Sequence, residues 1–285
     1  MRVHFIGIGG IGLSALARFL NFDGHSVSGS DMKSSSITKE LEKEGIKVSC
    51  PQEAKNISDD LDLVIYSAAV TDENPELIEA RLKQIRTLSR KEALPIILGD
   101  KKNYCVAGAH GKSTTTAILA TILQSSALIG AISKEFGSNF RYVDKTVAFE
   151  ADESDASFLL SNPYCAIVTN AEPEHMEYYH YDYDKFYESY ETFLSLAKKR
   201  VVNGEDKDIQ KLKIEDATYL YPSKDIKNLC YTLKDGQPCT KFDLKDYGTF
   251  EVWGFGFHIA SNASLAIMAA LNELDIETIR KNLLN

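Results

Sequence analysis

Lys112 and Ser113 close the run Gly108-Ala109-His110-Gly111-Lys112-Ser113-Thr114, in which two glycines precede a cation and two hydroxyls. Those residue types can hold a phosphate. Gly108 and Gly111 let the backbone turn so that N–H groups face one anion. Lys112 adds a full charge for the outer phosphates, and the Ser113 hydroxyl can ligate an accompanying magnesium ion. Two further groups could complete such a site. Glu150-Ala151-Asp152-Glu153-Ser154-Asp155 holds four carboxylates in six residues, which is costly unless something positive sits among them. Asn170-Ala171-Glu172-Pro173-Glu174-His175 adds an amide, two acids and an imidazole. Hard oxygens with one imidazole suit Mg²⁺ or Mn²⁺ on a phosphate.

Elements must bring these groups together. Tyr104 to Ala107 reads as a buried strand, and Ala117 to Leu123 as part of a helix. Thr146 to Phe149 and Cys165 to Thr169 read as two more strands. The three strand-like runs end in the Lys-Ser turn, the acid cluster and the Asn/Glu/His segment. In a parallel sheet those ends share one edge. The loop is a shortened one, because Val106 stands where the wider phosphate-loop pattern has its first glycine.

A second glycine run, Gly7-Ile8-Gly9-Gly10-Ile11-Gly12, lies between the strand-like Val3 to Ile6 and the helix-like Leu13 to Leu20. Glycines at 7, 9 and 12 fit the nucleotide fingerprint: a tight turn, close approach to a pyrophosphate, and close helix–strand packing. Asp31 ends the next strand, Ser26 to Asp31, where an acid can reach a ribose hydroxyl. Ser67 follows the apolar strand Leu63 to Tyr66, at a strand end of the kind that lines ligand crevices. Gly7, Gly9, Gly10, Ile11, Gly12, Asp31 and Ser67 therefore form a second candidate nucleotide site.

The rest of the chain supports an α/β reading in two domains, as 285 residues suggest. Thr38 to Glu44 and Pro75 to Lys83 read as helices, Ile85 to Leu88 as a strand, and Ser89 as the cap of a helix over Arg90 to Leu98. Gly99 to Asn103 is the best boundary, which gives domains 1–99 and 100–285. Tyr183 to Lys199 is amphipathic and helical, with Phe186, Tyr187, Tyr190 and Phe193 as a core stripe. Tyr219 to Phe255 predicts a small antiparallel sheet with Trp253 in its core, followed by helices to about Leu271 and over Ile276 to Leu284.

Bulk properties exclude several classes. A net charge of −9 with no basic run is a poor nucleic-acid binder. Five scattered cysteines without a Cys-x-x-Cys pair argue for reduced thiols in a cytoplasm, not for zinc or disulfides. Arg2 leads straight into a strand and a glycine turn, which is no signal peptide. The apolar region Ala117 to Ile132 is interrupted by Thr121, Gln124, Ser125 and Ser126, so no membrane span is expected.

The two glycine runs, Glu150 to Phe158, Thr169 to Met176, and the pair His258 and Asn262 together resemble the Mur ligases along the whole chain. The resemblance implies a Rossmann-like parallel-sheet N-terminal domain that holds the UDP of a substrate. It implies a P-loop ATPase-type α/β central domain carrying the small antiparallel sheet. It places Gly108 to Thr114, His258 and Asn262 beside ATP. It assigns catalytic roles to Lys112, Glu150 and His175, and sets Ser113, Glu150 and His175 around the metal. The implied reaction is ATP-dependent amide formation between UDP-N-acetylmuramate and L-alanine through an acyl phosphate, in a cytoplasmic monomer or homodimer. A recycling ligase for a whole peptide, a nicotinamide-dependent oxidoreductase and a non-catalytic nucleotide-binding module are the alternatives. Two departures stand out. Ile259 replaces the asparagine that usually follows the family histidine. The family's C-terminal amino-acid-binding domain is not in this chain, whether by a cut at a domain boundary or by nature.

Overall fold

A computed structural model describes residues 1–133, 138–143 and 145–284. The chain forms two compact units, Met1–Gly99 with Leu128–Tyr142, and Asp100–Ala127 with Val143–Asn285. The single division expected between Gly99 and Asp100 is therefore incomplete, because residues 128–142 leave the second unit for the first.

The first unit alternates strand and helix: β1 (Arg2–Ile6), α1 (Ile11–Phe22), β2 (Ser26–Ser30), α2 (Ser36–Lys43), β3 (Lys47–Ser49), β4 (Leu63–Tyr66), α3 (Pro75–Leu82), β5 (Arg86–Ser89) and α4 (Arg90–Leu98). Its five strands are parallel in the order β3-β2-β1-β4-β5. The apolar runs of β1 and β4 are buried, as central parallel strands require. Local signals set the helix starts. Ser89 and Glu92 form a capping box on α4. The Asn74 side chain accepts from the Glu76 and Leu77 amides, with Pro75 in the first turn of α3.

Next in the chain come β6 (Lys102–Ala107) and α5 (Lys112–Leu123) of the second unit, then β7 (Ser126–Ser133) and β8 (Ser138–Arg141). From Leu128 the β7–β8 segment covers α1 in the first unit. Phe140 and Tyr142 lie with ring centroids 6.4 and 5.6 Å from Phe19, and Tyr142 stacks on Phe22. Asn139 Nδ2 donates to the Ile11 carbonyl at 2.6 Å, and Arg18 donates to Asn139 Oδ1. These two strands were not anticipated. Ala117 to Ile132 is apolar on both sides of Gln124-Ser125-Ser126, and periodicity alone does not tell a short buried strand from more helix.

The second unit continues with β9 (Thr146–Glu150), β10 (Cys165–Val168), α6 (Tyr183–Leu196), β11 (Lys199–Asn203), β12 (Thr218–Leu220), α7 (Pro222–Asp225), β13 (Ile226–Lys234), β14 (Gln237–Leu244), β15 (Thr249–Trp253), α8 (Phe257–Ala270) and α9 (Ile276–Leu283). Strands β12-β11-β10-β6-β9 are parallel neighbours in that order. Strands β13-β14-β15 form a separate antiparallel sheet. Three expectations are corrected. Tyr219 belongs to the edge strand β12 of the parallel sheet, not to the antiparallel one. Trp253 is half-buried, not a core residue. Helix α6 stops at Leu196, where Ala197 turns extended, and Lys199 opens β11. On α6, Phe186, Tyr190 and Phe193 are buried, while Tyr187 is half-buried and donates its hydroxyl to Asp208. Among the described residues, no helix is long and apolar enough to cross a membrane.

Candidate functional site

Register puts the second unit's chemistry on one sheet edge. Val106 of β6 pairs with Glu150 of β9, and Ala107 pairs with Val168 of β10. The loop after β6 thus starts level with the acid cluster and with Thr169-Asn170. Its turn needs glycine at two points. Gly108 has φ +133°, and a Cβ there would come 2.3 Å from Thr169 Oγ1 and 2.7 Å from the Asn170 carbonyl. Gly111 has φ +84°, and its Cβ would meet Asn262 Oδ1 at 2.7 Å. Helix α5 begins at Lys112 with no side-chain cap on its N-terminus. Residues after β10 clamp the loop tip. Asn170 accepts from the His110 N–H and donates to the His110 carbonyl, and Thr169 Oγ1 donates to the same carbonyl at 2.6 Å.

Lys112 Nζ donates to the Gly108 carbonyl at 2.7 Å and to Glu153 Oε1 at 2.8 Å. Glu153 is only 3% exposed. Burial pushes its carboxyl above the ordinary value, although the Lys112 ammonium pulls it down. Sequence reading had not separated Glu153 from its three acidic neighbours. The signal available was the crowding itself, which demanded a cation but did not say which carboxylate would meet it. Glu150 lies beside Ser113, whose Oγ donates to Glu150 Oε1 at 3.0 Å. A hydroxyl and a carboxylate oxygen at the foot of the loop are the hard-oxygen donors magnesium takes, and Glu153 adds a second carboxylate nearby. Among the described residues, no group of three or more His, Cys, Asp and Glu side chains is arranged to hold a metal alone.

His175 is exposed, at φ +52° in the segment after β10. His258 is exposed on the first turn of α8, one turn before Asn262. Ile259 is half-buried, and a Cβ built on Gly254 would meet it at 3.4 Å, so it packs as an apolar side chain. Ala109 and Thr114 are half-buried in the loop and the first turn of α5.

The first unit builds its site the same way. Gly7 turns at φ +83°, and a Cβ there would strike Ser67 Oγ at 2.8 Å. The Gly7 and Ile8 amides donate to the Ser30 carbonyl, which ties the loop to the end of β2. Beside it opens a cavity of about 520 Å³, lined by Gly7, Gly10, Asp31, Gln52, Ser67 and Asn74 among others. Gly9, Ile11 and Gly12 are not in that lining. Asp31 is already engaged on both oxygens, with acceptor capacity to spare. Its Oδ2 accepts from the Gly9 amide at 2.8 Å and its Oδ1 from the Met32 amide at 2.8 Å. One loop N–H that a pyrophosphate could use is thus taken by the chain's own carboxylate. The lining carries no lysine or arginine, so hydroxyl and amide edges fit it better than a bare phosphate.

Comparison with known proteins agrees with this layout. Residues 2–102 match the model for the Mur ligase family catalytic domain, and residues 106–270 match that for the Mur ligase middle domain. A UDP-N-acetylmuramate–L-alanine ligase of Campylobacter curvus is 58% identical over 285 residues, all of this chain and 65% of that protein. One from Campylobacter jejuni is 59% identical over 286 residues, covering 66% of its length. The crystal structure of UDP-N-acetylmuramate–alanine ligase from Thermotoga maritima superposes with a TM-score of 0.83 at 28% identity, over 99% of this chain and 68% of that one. The chain thus spans just under two thirds of the curated relatives.

Proposed function

The chain belongs to the Mur ligase family, and from that premise we propose that it carries the two nucleotide-binding units of a ligase joining L-alanine to UDP-N-acetylmuramate with cleavage of ATP. The observation that carries this reading is the meeting of Lys112, Ser113, Glu150 and Glu153 at one parallel-sheet edge, beside two glycines that admit no side chain. The names of the relatives support the substrate pair. In this reading a muramoyl carboxylate oxygen attacks the γ-phosphorus of ATP, ADP leaves, and an acyl phosphate forms. The amine of L-alanine then attacks the acyl carbon, phosphate leaves, and the nitrogen gives up a proton.

A carboxylate attacking a polyanion needs charge neutralisation and alignment more than it needs a base. Lys112 and the loop N–H groups would bear the charge of the transferring phosphoryl group. ATP would displace the Glu153 carboxylate from the lysine. Ser113 and Glu150, with Glu153 nearby and His175 by the family resemblance, are the residues that would hold Mg²⁺ or Mn²⁺, which would supply further neutralisation when bound. Gly108 to Thr114, His258 and Asn262 would surround the ATP. Gly7 to Gly12, Asp31 and Ser67 would receive the UDP-sugar.

The test uses the protein at the full length its reading frame encodes. Phosphate release from ATP is expected to require both UDP-N-acetylmuramate and L-alanine. Release that needs a tripeptide in place of L-alanine would move the assignment to the peptide-recycling ligase, and tight NAD(H) binding would move it to an oxidoreductase. The 285-residue chain alone is expected to bind both nucleotides without ligating them.

A further inference from the structure

Behind the first unit's cavity, and outside its lining, lies a side chain of unusual placement. Glu76, in the first turn of α3, is 0% exposed. A carboxylate so buried is retained only where donors replace its water. Here they come from separate parts of the unit. Ser30 Oγ, at the end of β2, donates a short hydrogen bond to Oε2. The Glu53 amide and Asn56 Nδ2, both from the segment after β3, donate to Oε1 at 3.2 and 2.6 Å. His4 of β1, 2% exposed, brings Nε2 to 3.7 Å of Oε2.

Two of these donors adjoin a cavity-lining residue. Ser30 precedes Asp31, and Glu53 follows Gln52. Asn74, also in the lining, stands two residues before Glu76, caps its helix, and donates Nδ2 to Gln52 Oε1 at 2.8 Å. A closed circuit results: Glu76 holds Glu53, Gln52 meets Asn74, and Asn74 starts the helix that carries Glu76. An apolar residue could fill the same space, but it could not fix the register of three segments against one another.

We propose that Glu76 is a positioning residue for the UDP-sugar site, which holds the Asp31, Gln52 and Asn74 walls at the spacing the ligand requires. The proposal rests on the substrate reading above. The two oxygens have different duties, and that makes it testable. In Glu76→Gln the remaining oxygen can keep Glu53 and Asn56, while the Ser30 hydroxyl turns to accept from the new amide. Glu76→Ala loses every bond.

In the intact protein, Glu76→Ala is expected to raise KM for UDP-N-acetylmuramate at least about tenfold, with kcat and KM for ATP within about twofold. Glu76→Gln is expected to recover most of that loss. Unchanged KM in a folded Glu76→Ala protein, or equal losses in both variants, overturns the proposal. Should Glu76→Ala fail to fold, Asn56→Ala removes one donor without touching α3. It is expected to raise the same KM about threefold, and no change overturns the proposal. If the wild type does not bind UDP-N-acetylmuramate, the substrate reading has failed. The role of Glu76 is then decided by amide exchange at Gln52 and Asn74. Faster exchange in Glu76→Ala than in Glu76→Gln supports it, and equal rates overturn it.

Discussion

Glu76 in the first unit and Glu153 in the second are both buried carboxylates, and their surroundings push them in opposite directions. Burial raises Glu76 too, but His4, Ser30 and Asn56 outweigh it and hold the group below the ordinary glutamate value. For Glu153 burial prevails. Its partners are one ammonium and, at 3.4 Å, the Gly108 amide. The first carboxylate is satisfied within the fold. The second leans on a lysine that a phosphate would claim. A carboxylate held this loosely beside an open helix N-terminus is a candidate for displacement by a ligand, whereas a fully bonded one is a candidate brace.

The strongest way to break this contrast is Lys112→Met. It is expected to lower kcat/KM for ligation by about 10²–10³ while leaving UDP-N-acetylmuramate binding intact. Kinetics and calorimetric titration on the same preparation check it, and activity close to wild type would remove the phosphate-loop assignment. Paired glycine substitutions come next. Gly108→Ala forces φ +133° on an alanine and drives its Cβ into backbone of the segment after β10. A loss of about 1–3 kcal/mol is expected from the backbone strain alone, with ATP binding lost as well. Gly9→Ala keeps an ordinary φ, and its Cβ meets side chains first, the Asp31 carboxylate and Thr38 Cγ2. Its cost in denaturant unfolding is expected to be smaller, and its effect confined to the UDP-sugar.

The pH dependence of stability is the smallest effect and the most direct comparison. Glu76 titrates lower in the folded state than in the unfolded one. Its stabilisation is therefore present above the unfolded value, about 4.3, and is lost as pH falls through the folded value. Glu153 titrates higher when folded, so its contribution is present below the unfolded value and is lost as pH rises through the folded one. Melting curves between pH 3 and 7 are expected to show Glu76→Gln flattening the acid limb and Glu153→Gln flattening the opposite trend. Identical pH profiles for the two variants would remove the distinction.

Much of this layout was legible because its signals are local. Strand, glycine turn, Lys-Ser and helix follow one another within Tyr104 to Leu123, and Ser89 announces α4 three residues before Glu92 completes the box. Parallel pairing then brings Glu150 level with Val106 without further information. Choices between near-equivalent groups were not legible. Glu150 and Glu153 differ by three positions, and only the turn after β9 decides which one returns to Lys112. Asp31 had the right place for a ribose, but its nearest donors are the Gly9 and Met32 amides. Trp253 lies on a short edge strand, where hydrophobicity does not guarantee burial.

The segment from Leu128 to Tyr142 carries a practical lesson for anyone dissecting the gene. Expression of residues 1–99 alone would strip the aromatic lid from Phe19 and Phe22, and would take from Ile11 the amide that tethers its carbonyl. Such a truncate is expected to be sticky and poorly behaved even though its five-stranded sheet is whole. A faithful minimal fragment would have to be spliced, grafting that excursion back onto the helix it packs against.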